Sequence, residues 1–518
     1  MASGIHHITL ITRKVQKNVD FYVGFLGLRL VKRTGGFEDA EQLHLVYGDQ
    51  VGSPGSLITF LVWEDGSPGR IGLGQVAEVA LSIDPASLGF WVTRSLQFGL
   101  KVSGPMQEFG EPVLRLTDPD GVVVKIVGSP LAAHAPLHRS PGIEEAHAIR
   151  RIRSATIYSA VAEQTSAFLQ NYFGYRPLEQ AGAVQRLLSD SGDAVDVRQA
   201  AGFWPGAPGS GVVDHIAFRT PNLESLTETE TQLGRLNSSV TKVHDRKYFV
   251  SLYVREPGEV LFELATDGPG MAVDEPIELL GSTLFVPPSD EERADTIRTR
   301  LPQFSLPGED RIQYLDLPFV HRFRVPSDPD GTTLVLMHGT GGNEADLMPF
   351  AARLAPRATL LGVRGRSTEE GMLRWFRRFS ETTFDQADIR SEAAAFAVFM
   401  GSAISGYRLD PEKLMFVGYS NGANFLAAAM LLQPTLSGKA ILLRPSMVLE
   451  ARPATDLSSS QILIVEGRDD AHTSRLPGLT TVLSANKATL SAVTVPAGHE
   501  LGDEDLRVVR AVAASWLS

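Results

Sequence analysis

The chain runs to 518 residues, 43% of them hydrophobic and 21% charged, with a net charge of −12 and no cysteine, which predicts a cytoplasmic protein of roughly two to four domains. The lack of cysteine excludes disulfides, thiolate nucleophiles and cysteine-held metals, so any metal must rest on His, Asp or Glu. The acidic balance argues against a phosphate-neutralising nucleic-acid surface, no apolar run is long enough to cross a bilayer, and no export signal is recognised, which leaves small molecules as the expected partners.

The first predicted strand, "GIHHITL", sets His6 beside His7 in a β-branched and apolar run. Successive strand residues point to opposite faces, so only one of the two can look inward and the pair must divide its work. From there the chain reads as four weakly similar units, each a strand, a helix and further strands. The first passes through the helix pattern "NVDFYVGFLGL" to "LHLVYGD" and "GSLITFLVW", and the second opens on "AEVALSID" and closes on "VLRLTDPDGVVVKIVG". The third opens on "IRSATIYSA", and the fourth runs from "VDHIAFRT" to "YFVSLYVREPGEVLFELATDGPG". The second and fourth closings align, "PDGVVVKI" against "PGEVLFEL", the mark of an internal duplication. The expectation is an α+β front half of four βαβββ modules, at about residues 1–70, 71–150, 151–210 and 211–270. In the connector "SPLAAHAPLHRSPGIEEAH", His134 and His138 stand four apart, but Pro136 between them argues against the helix that would make them a metal pair.

A charged, proline-bounded stretch, "PPSDEERADTIRTRLPQFSLPGED", reads as a helical linker and places a domain boundary near Asp310, giving domains 1–310 and 311–518. Beyond it the rhythm changes. "TTLVLMHGTGGNEADLMPFAARLA" and "KLMFVGYSNGANFLAAAMLL" are each strand, sharp turn and helix, and "AILLRPS" and "QILIVEGRDD" are further buried strands. Continuous apolar strands alternating with helices predict an α/β domain with a mainly parallel sheet.

In this second domain "GYSNG", Gly418 to Gly422, lies between a strand and a helix, where a G-x-S-x-G turn lifts a serine hydroxyl above the sheet. Ser420 needs a base, which "PAGHEL" offers as His499, and the base needs an orienting carboxylate, which "EGRDD" offers as Asp469 or Asp470. An oxyanion hole is available from the backbone N–H groups of Asn421 and of Thr340 in "HGTGG". His338 in the same motif reads as a support for the loop. The motifs "HGTGGNEADL", "FDQADI", "GYSNGAN" and "GRDDAHT" resemble the carboxylesterase and phospholipase-like branch of the α/β-hydrolases, in that family's order. The resemblance implies the triad Ser420, Asp470 and His499, because the family's carboxylate follows the glycine by three positions.

The front half, with "HHITLIT", "LHLVYGD", "GSPGSLITF", "DHIAFRT" and "REPGEVLFELATDGPG", resembles the vicinal oxygen chelate superfamily, which includes glyoxalases, bleomycin-resistance proteins and extradiol dioxygenases. It is most similar to the hydroquinone-type ring-cleaving dioxygenases. Without cysteine a metal here needs His and carboxylates on facing strands, and His7, His215 and Glu263 supply two imidazoles and one carboxylate, a facial set with open positions for a diol and O₂. His6 is expected on the other face or the rim of its strand, as a supporting or substrate-contacting group. In the second unit Lys125 stands where Glu263 stands and Glu78 where His215 stands, so one metal per chain, Fe(II) or Mn(II), is expected. The resemblance also implies Arg246 and Tyr253 in the pocket, with Asp214 where the family often has a second histidine. The expectation is a bifunctional enzyme, an extradiol-type dioxygenase of aromatic diols joined to a serine carboxylesterase. The alternatives are an esterase joined to a silent binding module, and a glyoxalase-like isomerase or lyase in front. A homodimer is compatible with the sequence.

Overall fold

The computed structural model describes residues 4–130, 137–235, 242–311, 313–471 and 476–517. The chain divides into two compact units, residues 1–297 with 304–311 and residues 298–303 with 312–518. The division crosses between residues 297 and 298, between 303 and 304, and last between 311 and 312, next to Asp310. No helix among the described residues is long and apolar enough to cross a membrane.

In the first unit the order strand, helix, three strands recurs. It begins with β1 (Ile5–Thr12), α1 (Val15–Val19), β2 (Arg29–Gly35), β3 (Leu43–Gly48) and β4 (Leu57–Val62). It continues with β5 (Gln75–Ile83), α2 (Leu88–Gln97), β6 (Ser103–Glu108), β7 (Glu111–Thr117) and β8 (Val123–Gly128). Next come β9 (Arg151–Ser159), α3 (Ala162–Phe173), β10 (Arg176–Ala181), β11 (Val184–Leu188) and β12 (Ala194–Gln199). The last set is β13 (Val213–Thr220), α4 (Leu223–Arg235), β14 (His244–Asp245), β15 (Phe249–Arg255) and β16 (Leu261–Pro269), followed by β17 (Leu284–Phe285); α5 (Ala294–Arg300) contains the first crossing of the division.

Pairing does not follow chain order. One sheet runs β14-β15-β16-β13-β1-β4-β3-β2-β17 and the other β10-β11-β12-β9-β5-β8-β7-β6, so the first set of strands joins the fourth and the second joins the third. In the first sheet alternate residues serve two faces, as a period of two requires. Ile8, Leu10, Leu45, Tyr47, Ile58 and Phe60 are buried in the core, where Tyr22 packs 4.6 Å from Phe60 and 5.5 Å from Tyr47, centroid to centroid. His7, Thr9, His44, Val46, Leu57, Thr59 and Leu61, from the same three strands, line a cavity on the other face.

The second unit holds β18 (His321–Arg324), β19 (Thr333–Met337), α6 (Met348–Leu354), β20 (Thr359–Val363), the hairpin β21 (Ser367–Glu369) and β22 (Met372–Arg374), and α7 (Gln386–Tyr407). It ends with β23 (Leu414–Tyr419), α8 (Asn421–Leu432), β24 (Lys439–Leu443), β25 (Gln461–Gly467), α9 (Leu476–Ala485), β26 (Thr489–Val495) and α10 (Asp503–Leu517). The sheet order is β18-β20-β19-β23-β24-β25-β26, parallel throughout except for β18. Its strands are apolar on both faces because both are covered. Val335, Met337, Phe416, Ile462 and Ile464 pack with Phe396, Phe425 and Trp375 on one side, while Leu334, Leu336, Val417, Leu463 and Val465 pack with Met348 and Val509 on the other. Asp385 starts α7 by accepting hydrogen bonds from Ala387 N–H (3.1 Å) and Asp388 N–H (3.0 Å), a cap worth about 1 kcal/mol.

Candidate active sites

The first site lies where β1, β13 and β16 run side by side. Ala217 is opposite His7 across the antiparallel pair and opposite Glu263 across the parallel one, which brings three distant chain positions into register. His7 Nε2 lies 3.0 Å and His215 Nε2 2.9 Å from the same oxygen, Glu263 Oε2. One ligand atom from each of these three residues lies within 4.8 Å of the others. Glu263 is fully buried, and neither of its oxygens, nor His215 Nε2, makes a hydrogen bond of sound geometry. A fully buried carboxylate met only by two imidazole nitrogens at poor hydrogen-bond geometry is costly, and a divalent cation would resolve that cost, so the donor set fits a metal with two imidazole and one carboxylate ligands. The two imidazoles hold the Glu263 carboxyl well below the usual range, against its burial.

The far nitrogen of each imidazole is held as well. His6 and His7 sit at a β-bulge, where two residues of β1 advance for one of β13 between Ile5 and His7. The extra residue re-aims His6, whose Nδ1 lies 2.9 Å from His7 Nδ1. Burial above all pushes the His6 pKa down to about 3, so the ring is neutral and can accept from His7. His215 Nδ1 donates to Asp214 Oδ2 at 2.7 Å. With both Nδ1 atoms engaged, both Nε2 atoms are directed at Glu263, the arrangement in which an outer partner sets the tautomer of a metal-binding histidine. His6 is thus 2% exposed and stands behind His7, and it is not among the residues lining the cavity, whereas Asp214 both lines it and holds His215.

The cavity measures about 340 Å³. Besides the site residues its wall includes Phe37, Glu38, Asp39, Phe249 and Met271. Tyr253, opposite Glu263 in the β15–β16 register, faces it with its phenol pKa raised, chiefly by burial. Arg246 lines it too, but its guanidinium already meets Glu38 Oε1 at 2.9 Å. Sequence reading passes over His44, Thr9, Thr59 and Glu38. Thr9 is two residues beyond His7 and so on its face. Thr59 becomes visible only through its register with Thr9, to which it hydrogen-bonds at 2.8 Å. Of the His134 and His138 pair, His134 lies outside the described residues, and His138 Nδ1 contacts Gln50 Oε1 at 3.1 Å.

The second sheet repeats the geometry with other residues. Lys125 is opposite Ala80 as Glu263 is opposite Ala217, and Ser154 takes the place of His7. There Lys125 Nζ pairs with Glu78 at 3.0 Å, with Arg115 Nε 3.3 Å from the same carboxylate, so an ion-pair cluster occupies the place that His7, His215 and Glu263 hold in the first sheet.

The second unit's candidate site sits beyond the C-terminal ends of its strands, where parallel sheets gather function. Ser420 follows β23 with φ 50° and ψ −114°, a strained conformation costing about 1–3 kcal/mol. Its flanking glycines are sterically required, because a Cβ on Gly422 would lie 2.2 Å from Met337 O and one on Gly418 2.8 Å from Ala423 Cα. His499, after β26, places Nε2 2.9 Å from Ser420 Oγ and Nδ1 2.8 Å from Asp470 Oδ2, after β25. The loop after β19 lies against the serine, since a Cβ on Gly339 would come within 3.6 Å of Ser420 Cβ. His338 accepts from Gly365 N–H at Nε2 (3.0 Å) and so donates from Nδ1 to Gly339 O (2.6 Å). In a trans peptide C=O and N–H point oppositely, so this bond turns the Thr340 N–H away from His338. Asn421 begins α8, and its side chain accepts from Trp375 N–H at 2.9 Å.

A pair of strand-helix-strand sheets followed by a parallel sheet carrying Ser, His and Asp defines the class: a glyoxalase-type unit joined to an α/β-hydrolase unit. Residues 4–126 match the family of the glyoxalase/bleomycin resistance protein/dioxygenase superfamily. MhqO of Bacillus subtilis, whose name assigns it provisionally to the ring-cleaving dioxygenases, is 36% identical over 60% of this chain and 97% of its own length. The chlorohydroquinone/hydroquinone 1,2-dioxygenase of Sphingobium indicum is 33% identical over 57% of this chain and 94% of its own length. MhqD of Bacillus subtilis, provisionally named a hydrolase, is 32% identical over 34% of this chain and 90% of its own length. The chain belongs to the glyoxalase/bleomycin resistance protein/dioxygenase superfamily through its first unit and to the family of the MhqD-type hydrolases through its second.

Proposed function

We propose that the chain is a bifunctional enzyme, a metal-dependent ring-cleaving dioxygenase of hydroquinone- or catechol-like diols joined to a serine carboxylesterase. For the first activity the observation that carries the reading is the buried His7, His215 and Glu263 set opening on a cavity large enough for a substituted ring. Fe(II) or Mn(II) bound there would supply the open positions and the electron transfer that let a diol and O₂ react, with both oxygen atoms ending in the ring-opened product. His6 and Asp214 keep the two imidazoles in the metal-binding tautomer. Tyr253 and Arg246 hold the diol's charge from the cavity wall, and Phe249 and Met271 exclude water. The hydroquinone dioxygenase of Sphingobium indicum supports the substrate class.

For the second activity, His499 takes the proton of Ser420 Oγ as that oxygen attacks an ester carbonyl, and Asp470 stabilises the imidazolium. The N–H groups of Thr340 and Asn421 receive the oxyanion, the alcohol leaves with the proton from His499, and water then releases the acid. The deciding experiment is O₂ uptake by protein loaded anaerobically with Fe(II), or separately with Mn(II), on addition of hydroquinone or catechol. Uptake with a ring-opened product supports the reading, and a metal-filled protein that consumes no O₂ refutes the dioxygenase half.

A further inference from the structure

The catalytic histidine of a hydrolase sits on a loop, yet its imidazole must be placed to a fraction of an ångström. Here that loop is gripped from below. Arg444 follows β24 in a left-handed conformation, φ 55°, that a non-glycine residue rarely adopts, and its side chain is fully buried. Its Nε donates to Gly498 O at 2.8 Å and its Nη2 to Glu500 O at 3.4 Å, the carbonyls on either side of His499. The guanidinium is itself fixed by a two-pronged pair with Asp505 of α10, at 2.8 and 3.1 Å. Asp505 also accepts the N–H of Gly502, at 2.9 Å, and closes the loop from its far end. The carbonyl of His499 itself accepts from Tyr419 OH at 3.3 Å, next to the nucleophile.

Two side chains rooted at the ends of adjacent strands thus hold three consecutive carbonyls around the base. A buried ion pair is a weak source of stability, because desolvation offsets the attraction. A fully buried arginine in a strained conformation, whose guanidinium reaches Val465 O of β25 at 3.5 Å but otherwise grips the backbone of one loop, therefore reads as positioning. We infer that Arg444, locked by Asp505, is the positioning residue that sets His499 against Ser420. The inference rests on the esterase reading above. The planar fork is essential to it, because a lysine ammonium is a point charge that cannot reach Gly498 O, Glu500 O and Asp505 together.

The test compares the wild type with Arg444→Lys and Asp505→Asn, using 4-nitrophenyl acetate for kcat and KM and a fluorophosphonate probe for Ser420. For Arg444→Lys the expected result is a kcat lower by about tenfold to a hundredfold with KM near the wild-type value. The fluorophosphonate rate constant falls in step, while labelling still reaches one probe per chain. That stoichiometry separates a displaced base from a partly unfolded sample, which would label a smaller fraction at the normal rate. Asp505→Asn keeps the fork but frees it from its anchor, and a smaller loss in the same direction is expected. If Arg444→Lys does not fold, this variant decides. Wild-type kcat and labelling rate in either folded variant overturn the inference. A wild-type protein that neither hydrolyses the ester nor takes the probe overturns the esterase reading itself.

Discussion

Metal binding to the first unit is expected to expel one proton, and the size of the effect follows from the surroundings of His215. Burial disfavours the charged imidazole, but Glu263 at Nε2 and Asp214 at Nδ1 outweigh it and push the pKa of His215 up to about 9 from the ordinary 6.5. Burial lowers His7, and His6 is pushed down to about 3, so those rings stay neutral at neutral pH. A metal takes the lone pair of His215 Nε2, which carries the proton, so below about pH 9 metal and proton compete. One competing proton makes affinity rise tenfold per pH unit, so between pH 6 and pH 8 the association constant for Mn(II) rises about a hundredfold, or about 2.7 kcal/mol. The sign for folding is opposite. The raised pKa stabilises the metal-free fold fully below pH 6.5, and that contribution is lost as pH rises through about 9. Calorimetric titration of metal-free protein in buffers of different ionisation enthalpy counts the protons directly. An affinity unchanged between pH 6 and pH 8, with no proton released, would refute the reasoning.

Asp214→Asn removes the charge behind His215 and is expected to weaken metal binding by about tenfold to a hundredfold, read in the same titration. Ser420→Ala abolishes hydrolysis of short aryl esters and leaves the metal content of the purified protein unchanged. His338→Ala releases the peptide before Thr340 and lowers esterase kcat by about a hundredfold with little change in KM, as loss of an oxyanion donor does. In the ion-pair cluster of the second sheet, Lys125→Met leaves the Glu78 carboxylate to Arg115 and Thr156 and is expected to lower the stability of the first unit by about 1–3 kcal/mol in urea, whereas Lys125→Met with Glu78→Met recovers part of it.

The strand–turn–helix around Ser420 is legible in the sequence because its constraints are local: two glycines, an apolar strand and an apolar helix within one short stretch. The alternation of buried strands and helices that marks the second unit is legible for the same reason, since each strand must be apolar on both faces. The His7, His215 and Glu263 cluster is legible only through resemblance. Nothing in the spacing of His7 and Glu263 joins them, because the pairing of β1 with β13 is a long-range choice made by the packing of whole strands. His6 shows the limit most clearly. Strict alternation sends it to the opposite face, and the bulge that turns it toward His7 is a register shift created by the partner strand. Glu38 lies on a loop, where neither period applies, and its hold on Arg246 depends on how two distant segments meet.

The pairing of the first strand with the thirteenth sets a timetable for biosynthesis. Glu263 leaves the ribosome some 250 residues after His7, a wait of roughly 13 to 50 seconds at about 5–20 residues per second. For most of that wait, until β13 emerges, β1 lacks its antiparallel neighbour, and an apolar edge with unpaired backbone groups is open to the wrong partner. Ser420 and His499 are only 79 residues apart, so the hydrolase centre closes soon after its parts emerge. A nascent chain halted before β16 would carry both histidines without Glu263, so the three-residue cluster is complete only once the front half has been made, with the hydrolase assembled afterwards.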